Sequence, residues 1–272
     1  MLAGSDGRHG RVRDGRGARG DVIACRGTSN AIRMRTSNAS ARQDDRRLFV
    51  WCAAFIVLLV FVGFSRTYFL HSLFRMPAPS LFLGIHGAVM SGWIVIYFVQ
   101  SLLVSVNQAA AHRKFGVFGA GYALLVVVFG STATFLSARR EVRGHTDEVF
   151  SFLNVLGLEL TQMLLFASFV AAAIWLRSRP DYHKRWMLLA TLCLLPNPIV
   201  RLFLRVGFQS NLAFLNIWAI LVVVIVLIDS VRNRRLHPAL GIGAATALSM
   251  MYLAQFASCT QAWQLFASRL VS

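Results

Sequence analysis

The sequence predicts an all-α bundle that crosses a membrane about seven times, with its N-terminus in the cytoplasm. Three observations lead there. Hydrophobic residues make up 56% of the chain and charged residues only 14%, whereas soluble domains carry about 25% charged residues. The apolar residues gather into blocks of roughly 20, the length that covers ~30 Å of hydrocarbon at ~1.5 Å per residue. The bases sit between those blocks, so the formal net charge of +17 reads as membrane topology and not as a nucleic-acid surface.

Residues 1–47 hold 11 arginines against five aspartates and almost no aromatic residue. Such a stretch cannot bury a core and is expected to be a disordered basic tail. Met34 lies inside it as an alternative translation start, and no signal-peptide pattern precedes the first apolar block. The bundle is expected over 48–272, with apolar blocks at 48–65, 81–105, 115–137, 149–176, 186–206, 212–231 and 238–258. With the N-terminus inside, 20 of the Lys and Arg residues fall on the cytoplasmic side and eight on the other, which satisfies the positive-inside rule and leaves the C-terminus outside. The expected setting is a bacterial cytoplasmic (inner) membrane. The partners implied are the lipid bilayer and anionic lipid at the cytoplasmic face, with no nucleic acid. Nothing in the pattern speaks to oligomeric state.

The fifth block carries the most chemistry. Its apolar run is broken by Pro196-Asn197-Pro198, and Arg201 and Arg205 come next. Neither proline can donate to the carbonyl four residues back, so Leu192 and Leu194 are expected to have free carbonyls at a kink. Asn197, Arg201 and Arg205 are spaced i, i+4, i+8 and share a face. Counted from Trp186, Arg201 lies ~22 Å into the membrane. Ionisable groups at such depth face a partner or a wet cavity. Glu159 is the carboxylate well inside an apolar block, about 7 Å from Arg201 along the membrane normal by the same count. Gln162 lies one turn further on the same face. The pair reads either as a buried ion pair that fixes helix register or as a substrate or proton site.

The second block carries His86, Met90, Trp93, Tyr97 and Gln100 at 4-3-4-3 spacing, a seam that faces the bundle. His86 suits a proton relay, a metal or haem ligand, or a satisfied core histidine. His112 and His183 open the third and fifth blocks beside bases. They match in depth, as haem ligation by two histidines requires, and they equally suit lipid-phosphate anchoring. His71 and His145 are expected in outer loops. The segments "AHRKFGVFGA" and "YHKRWMLLAT" stand 71 residues apart and read either as a parallel repeat or as two ordinary cytoplasmic helix entries. Cys25, Cys52, Cys193 and Cys259 have no metal-ligand spacing and are expected to be buried structural thiols. Ala239, Gly243 and Ala247, and Gly116 with Ala120, read as small-residue contact ridges. Asp229 with Arg232 and Arg235 reads as a surface cluster.

At "HGAVMSGWIVIYFVQSLLV", "AHRKFGVFGA" and "DYHKRWMLLAT" the chain resembles a group of uncharacterised multi-pass bacterial membrane proteins, over about residues 81–200. A looser similarity, on histidines at helix ends, is to cytochrome b561-like bundles. The first resemblance implies a membrane bundle without a transferable activity. The second implies haem.

Three functions stand as expectations. The first is a protein that binds or transports a small molecule or proton through a polar cavity in the outer half, bounded by His86, Glu159, Asn197 and Arg201. The second is a redox protein holding haem or quinone, with His86, His112 and His183 as candidate ligands. The third is a structural accessory subunit. No catalytic motif is present, and an enzyme is the less expected reading.

Overall fold

A chain in hydrocarbon must satisfy its backbone groups internally, and each apolar block folds accordingly as helix. The structure is a computed structural model and describes residues 43–144, 149–207 and 210–271, with the backbone alone at 141–144 and 149–152. Two units are distinguished, Met1–Arg46 and Arg47–Ser272, and the bundle is the second. Of the expected disordered tail 1–47, residues 1–42 with the alternative start lie outside the described residues, as do Cys25 and His145, whereas 43–47 are helical and extend the first span back into the polar segment.

Among the described residues, seven helices are long and apolar enough to cross a membrane. The first, α1, runs over Gln43–Phe69 and ends in a π-helical turn at Ser65–Phe69. It is followed by α2 (Leu81–Ser105), α3 (Ala109–Gly144) and α4 (Val149–Trp175). The fifth span is two helices, α5 (Pro180–Leu192) and α6 (Pro196–Leu204). Then come α7 (Asn211–Asn233), α8 (Pro238–Ser258) and a short α9 (Gln261–Val271). All regular structure among the described residues is helical. The near end of the bundle, where α1 starts, carries the 105–109, 175–180 and 233–238 connections, and the far end carries the others.

Helix boundaries differ from the apolar blocks at the basic entries. The third helix starts at Ala109 and the fifth span at Pro180, six residues before each expected start. Hydropathy marks where side chains meet lipid, whereas the helix continues through the charged first turn. Pro180, Pro196 and Pro238 each stand at the start of a helix, where a missing N–H costs nothing. Ser80, Ser210 and His237 cap α2, α7 and α8 by accepting backbone N–H groups. The α9 helix is not among the expected elements, because 11 residues with Arg269 do not resemble a span. Its Ala267 and Val271 bury against Ala138 of α3 and Leu153 and Leu156 of α4.

The α4 helix is the hub, packing on α3, α5, α8 and α9. Trp93 and Phe166, both buried, meet edge to face at 4.9 Å between ring centroids. The predicted seam of α2 faces inward, with Trp93 and Tyr97 buried. The α8 ridge is also in contact. A Cβ on Gly243 would lie 2.3 Å from the Leu189 side chain and 2.9 Å from Trp186, so a hydrogen there permits the α5–α8 approach. The α3 ridge is shifted by one residue, because Gly119 faces Ile96 whereas Ala120 is exposed. The thiols vary: Cys193 is buried, Cys52 intermediate and Cys259 exposed. A buried thiol is thus the wrong expectation for Cys259, which ends α8 one residue past the last buried position, Ser258.

Candidate functional site

The break in span five is built as the prolines dictate. Cys193 to Leu195 form a tight connection between α5 and α6, with N–H groups of Cys193, Leu194 and Leu195 turned back onto carbonyls three residues earlier. The Leu192 carbonyl, denied the Pro196 N–H, accepts a hydrogen bond at 2.8 Å from the indole N–H of buried Trp218 on α7. The Leu195 N–H at 3.1 Å and a tryptophan on the neighbouring helix thus share the carbonyl that the proline leaves open. Trp93 of α2 donates to the Thr191 hydroxyl at 3.3 Å on the same turn.

Just past the break, Asn197 brings its side chain to the carboxyl of Glu159 on α4. Thr134 of α3 completes the group, its hydroxyl 2.7 Å from Glu159 Oε2 and 3.0 Å from the Gly130 carbonyl. One turn along α4, Gln162 is buried with no hydrogen-bond partner for its amide oxygen among the described residues. Polar side chains from α3 and α6 therefore meet one carboxyl of α4 inside the span.

Arg201 does not complete this group as an ion pair. It is exposed, its guanidinium lies 5.9 Å above the Phe64 ring of α1, and it acts on Glu159 only through space. The expected ion pair is absent among the described residues. Depths counted at a uniform rise per residue put Arg201 nearest, but the break resets the helix, and Asn197 arrives at the carboxyl one turn before Arg201. Arg205 instead donates to the carbonyls of Val62 and Gly63 at 2.6 and 2.7 Å, and to the Ser65 hydroxyl at 3.1 Å. It thereby caps the end of α1, where unsatisfied carbonyls favour a cation.

His86 lies apart from the carboxyl. Its Nδ1 donates to the Phe129 carbonyl at 3.2 Å. Phe129 precedes Thr134 by five residues, about 7 Å along α3. Of the four residues expected around the outer-half cavity, the structure brings Glu159 and Asn197 together, leaves Arg201 exposed over Phe64, and seats His86 on the α2–α3 contact.

The near end holds a second polar group. Gln100 of α2 reaches the first turn of α3, its amide NH2 donating to His112 Nδ1 at 2.6 Å and its oxygen accepting from the Gly116 N–H at 2.9 Å. His183 Nδ1 donates to the Ala173 carbonyl at 2.8 Å. The two imidazoles face each other edge to face, with ring centroids 6.2 Å apart. Two of the three candidate haem ligands are thus adjacent. The third, His86, is 14 residues before Gln100 on α2, ~21 Å along that helix.

Beside them lies a pair that sequence reading misses. Arg185 donates through Nε and Nη2 to both oxygens of Asp229, at 3.0 and 2.8 Å. Its Nη1 donates to the Asp181 carbonyl at 3.0 Å. The side chains are 3% and 2% exposed, so Asp229 is no part of a surface cluster. Arg232 and Arg235 are nearer in sequence, but they come three and six residues later on a helix whose Asp229 face turns toward α5. The Phe49 ring of α1 lies 6.0 Å from the Arg185 guanidinium and 5.3 Å from Lys184 Nζ. His237, buried at the start of α8, accepts from the Ala239 N–H and packs edge-on against Tyr182 at 4.7 Å. Burial, followed by the charge of Arg185, holds its imidazole below the ordinary histidine range. Outside the helices, His71 Nδ1 pairs with the Tyr68 carbonyl at 3.0 Å. No group of three or more His, Cys, Asp or Glu side chains converges as a metal site among the described residues.

Comparison of the chain with protein-family models, with curated proteins and with solved structures finds no match.

Proposed function

We propose that this multi-pass membrane protein, set in a bacterial cytoplasmic membrane with its N-terminus inside, binds a small molecule or proton and moves it through the polar group at the break of span five. One observation carries the reading. The Glu159 carboxyl sits within a membrane-spanning helix, hydrogen-bonded by Thr134 and met by Asn197, yet no cation stands within ion-pair distance among the described residues. An ion pair that served only to lock helix register would be closed. A carboxyl held by neutral dipoles at a broken helix is placed to take up and release charge. Arg201 supplies a positive rim from which an exchanging cation is repelled toward the bundle interior, and His86 is a proton or hydrogen-bond group below. The test is proton movement in proteoliposomes under an imposed potential, followed with an entrapped pH dye. Flux above the lipid background that Glu159→Gln removes is the expected result. Equal flux in the parent and that variant would overturn the reading.

A second reading, a haem- or quinone-binding redox protein, has one observation in its favour. His112 and His183 each have Nδ1 fixed by a neighbour and their rings face each other. The Nδ1–H that His183 donates to the Ala173 carbonyl leaves its Nε2 free to ligate, whereas His112, whose Nδ1 accepts from Gln100, would have to turn its ring. A Soret band in the purified protein, lost in His112→Ala and His183→Ala, would favour it over the first reading.

A further inference from the structure

We infer that the Glu159 group is a site for a monovalent alkali cation that competes with the proton for the same carboxyl. This rests on the exchange proposed for that carboxyl and names its ligand.

Donor chemistry points to the class of ion. The oxygens at or beside the carboxyl are its own two, the Thr134 hydroxyl and, one turn along α4, the amide oxygen of Gln162, while Asn197 donates its amide N–H to the carboxylate. Hard oxygen ligands of this kind suit an alkali or alkaline-earth ion and do not suit a soft one. Charge then decides between the two. One carboxylate neutralises one positive charge. A divalent ion would leave a net positive charge inside the bundle, with Arg201 adding to it.

Gln162 is the second, independent observation. Its side chain is 3% exposed, and its amide oxygen has no hydrogen-bond partner among the described residues. A buried acceptor left unmatched costs about 1–3 kcal/mol. Its spacing of three residues from Glu159 sets it on the same face of α4. A cation held by the carboxylate is a partner of the right sign for that oxygen, whereas a proton on Glu159 satisfies the carboxyl alone.

Helix ends add a bias. Asn197 is the second residue of α6, and the positive end of that helix dipole favours the ionised carboxylate. An ionised carboxylate in a span requires a counter-charge, and Arg201 does not come within ion-pair distance. The charged and titratable groups on the surrounding elements are few. Arg201 lies on α6 and His86, bound to the Phe129 carbonyl, on α2. Arg139 and Arg140 stand toward the far end of α3, Arg269 is on α9, and α8 carries no charged residue along its length.

The test is thermal unfolding of the full chain in nanodiscs, titrated with NaCl against choline chloride at constant ionic strength. At pH 8 sodium is expected to raise the midpoint in a saturable way. At pH 5.5 the half-saturating concentration is expected to rise at least tenfold as protons compete. Gln162→Leu, which keeps the volume and removes the oxygen, should raise that concentration several-fold at pH 8. Glu159→Gln should abolish the sodium dependence. No saturable sodium effect in the parent at either pH, or an undiminished one in Glu159→Gln, would overturn the cation site. Proton flux that still depends on Glu159 would then leave the broader reading standing, because it is measured without sodium.

Discussion

Two acidic side chains inside the bundle meet opposite fates. At the near end, Asp229 is clasped by Arg185 through two charge-assisted hydrogen bonds, and the pair is almost wholly shielded. In the far half, Glu159 has a threonine and an asparagine, with its nearest guanidinium turned outward to Phe64. Closed pairs of the first kind hold helices in place. Open groups of the second kind lack that lock. The difference gives α5 and α7 a charged tie at one end, and leaves the carboxyl at the break beyond it without one.

The largest expected effect tests the closed pair. Arg185→Met and Asp229→Asn should each lower stability by about 3–5 kcal/mol, because the surviving charge is stranded. The double variant should recover part of that loss, and unfolding in nanodiscs measures it as a mutant cycle. Strictly additive losses would show that the two ends differ less than their geometry implies.

A smaller effect sharpens the comparison at the boundary between the two regions. Trp218→Phe keeps the ring but removes the N–H that the Leu192 carbonyl receives. Because the Leu195 N–H still reaches that carbonyl, the cost should be about 1 kcal/mol, and it should appear in equilibrium unfolding with the near-end pair intact. No loss would mean that the break is satisfied without α7.

The smallest effect concerns Arg201. Being exposed and outside ion-pair reach of Glu159, it should tolerate Arg201→Gln with a change within about 0.5 kcal/mol. Combined with Glu159→Gln, the two changes should add. Coupling of the size expected at Arg185 and Asp229 would restore the ion pair that the geometry lacks.

The number of spans and the inward seam of α2 were legible because lipid-length apolar blocks and 3.5-residue spacing are properties of the chain itself. The repair of the break was half legible. The prolines announced a free Leu192 carbonyl, but nothing near it in sequence pointed to Trp218. Arg185 escaped notice because a base at a helix entry looks like every other base there. Its burial depends on Asp229, 44 positions later, turning toward α5. Arg201 misled for the converse reason. Depth can be counted along a helix, but three residues of broken backbone change both the rise and the facing of every residue beyond them. Thr134, an uncharged hydroxyl in a long apolar helix, gave no sign of the carboxyl opposite.

Span five is shared between two sets of neighbours. Its first half packs on α4 and α8, while its second half packs on α7 and presses Pro198 against Gly63 of α1, where even a methyl group would sit 2.7 Å from the proline carbonyl oxygen. The span therefore behaves as two levers on one joint, and the joint is three residues long. A displacement of α7 or α1 would therefore bear on α6 and not on α5, and Asn197, the second residue of α6, is the side chain that such a displacement would carry relative to Glu159.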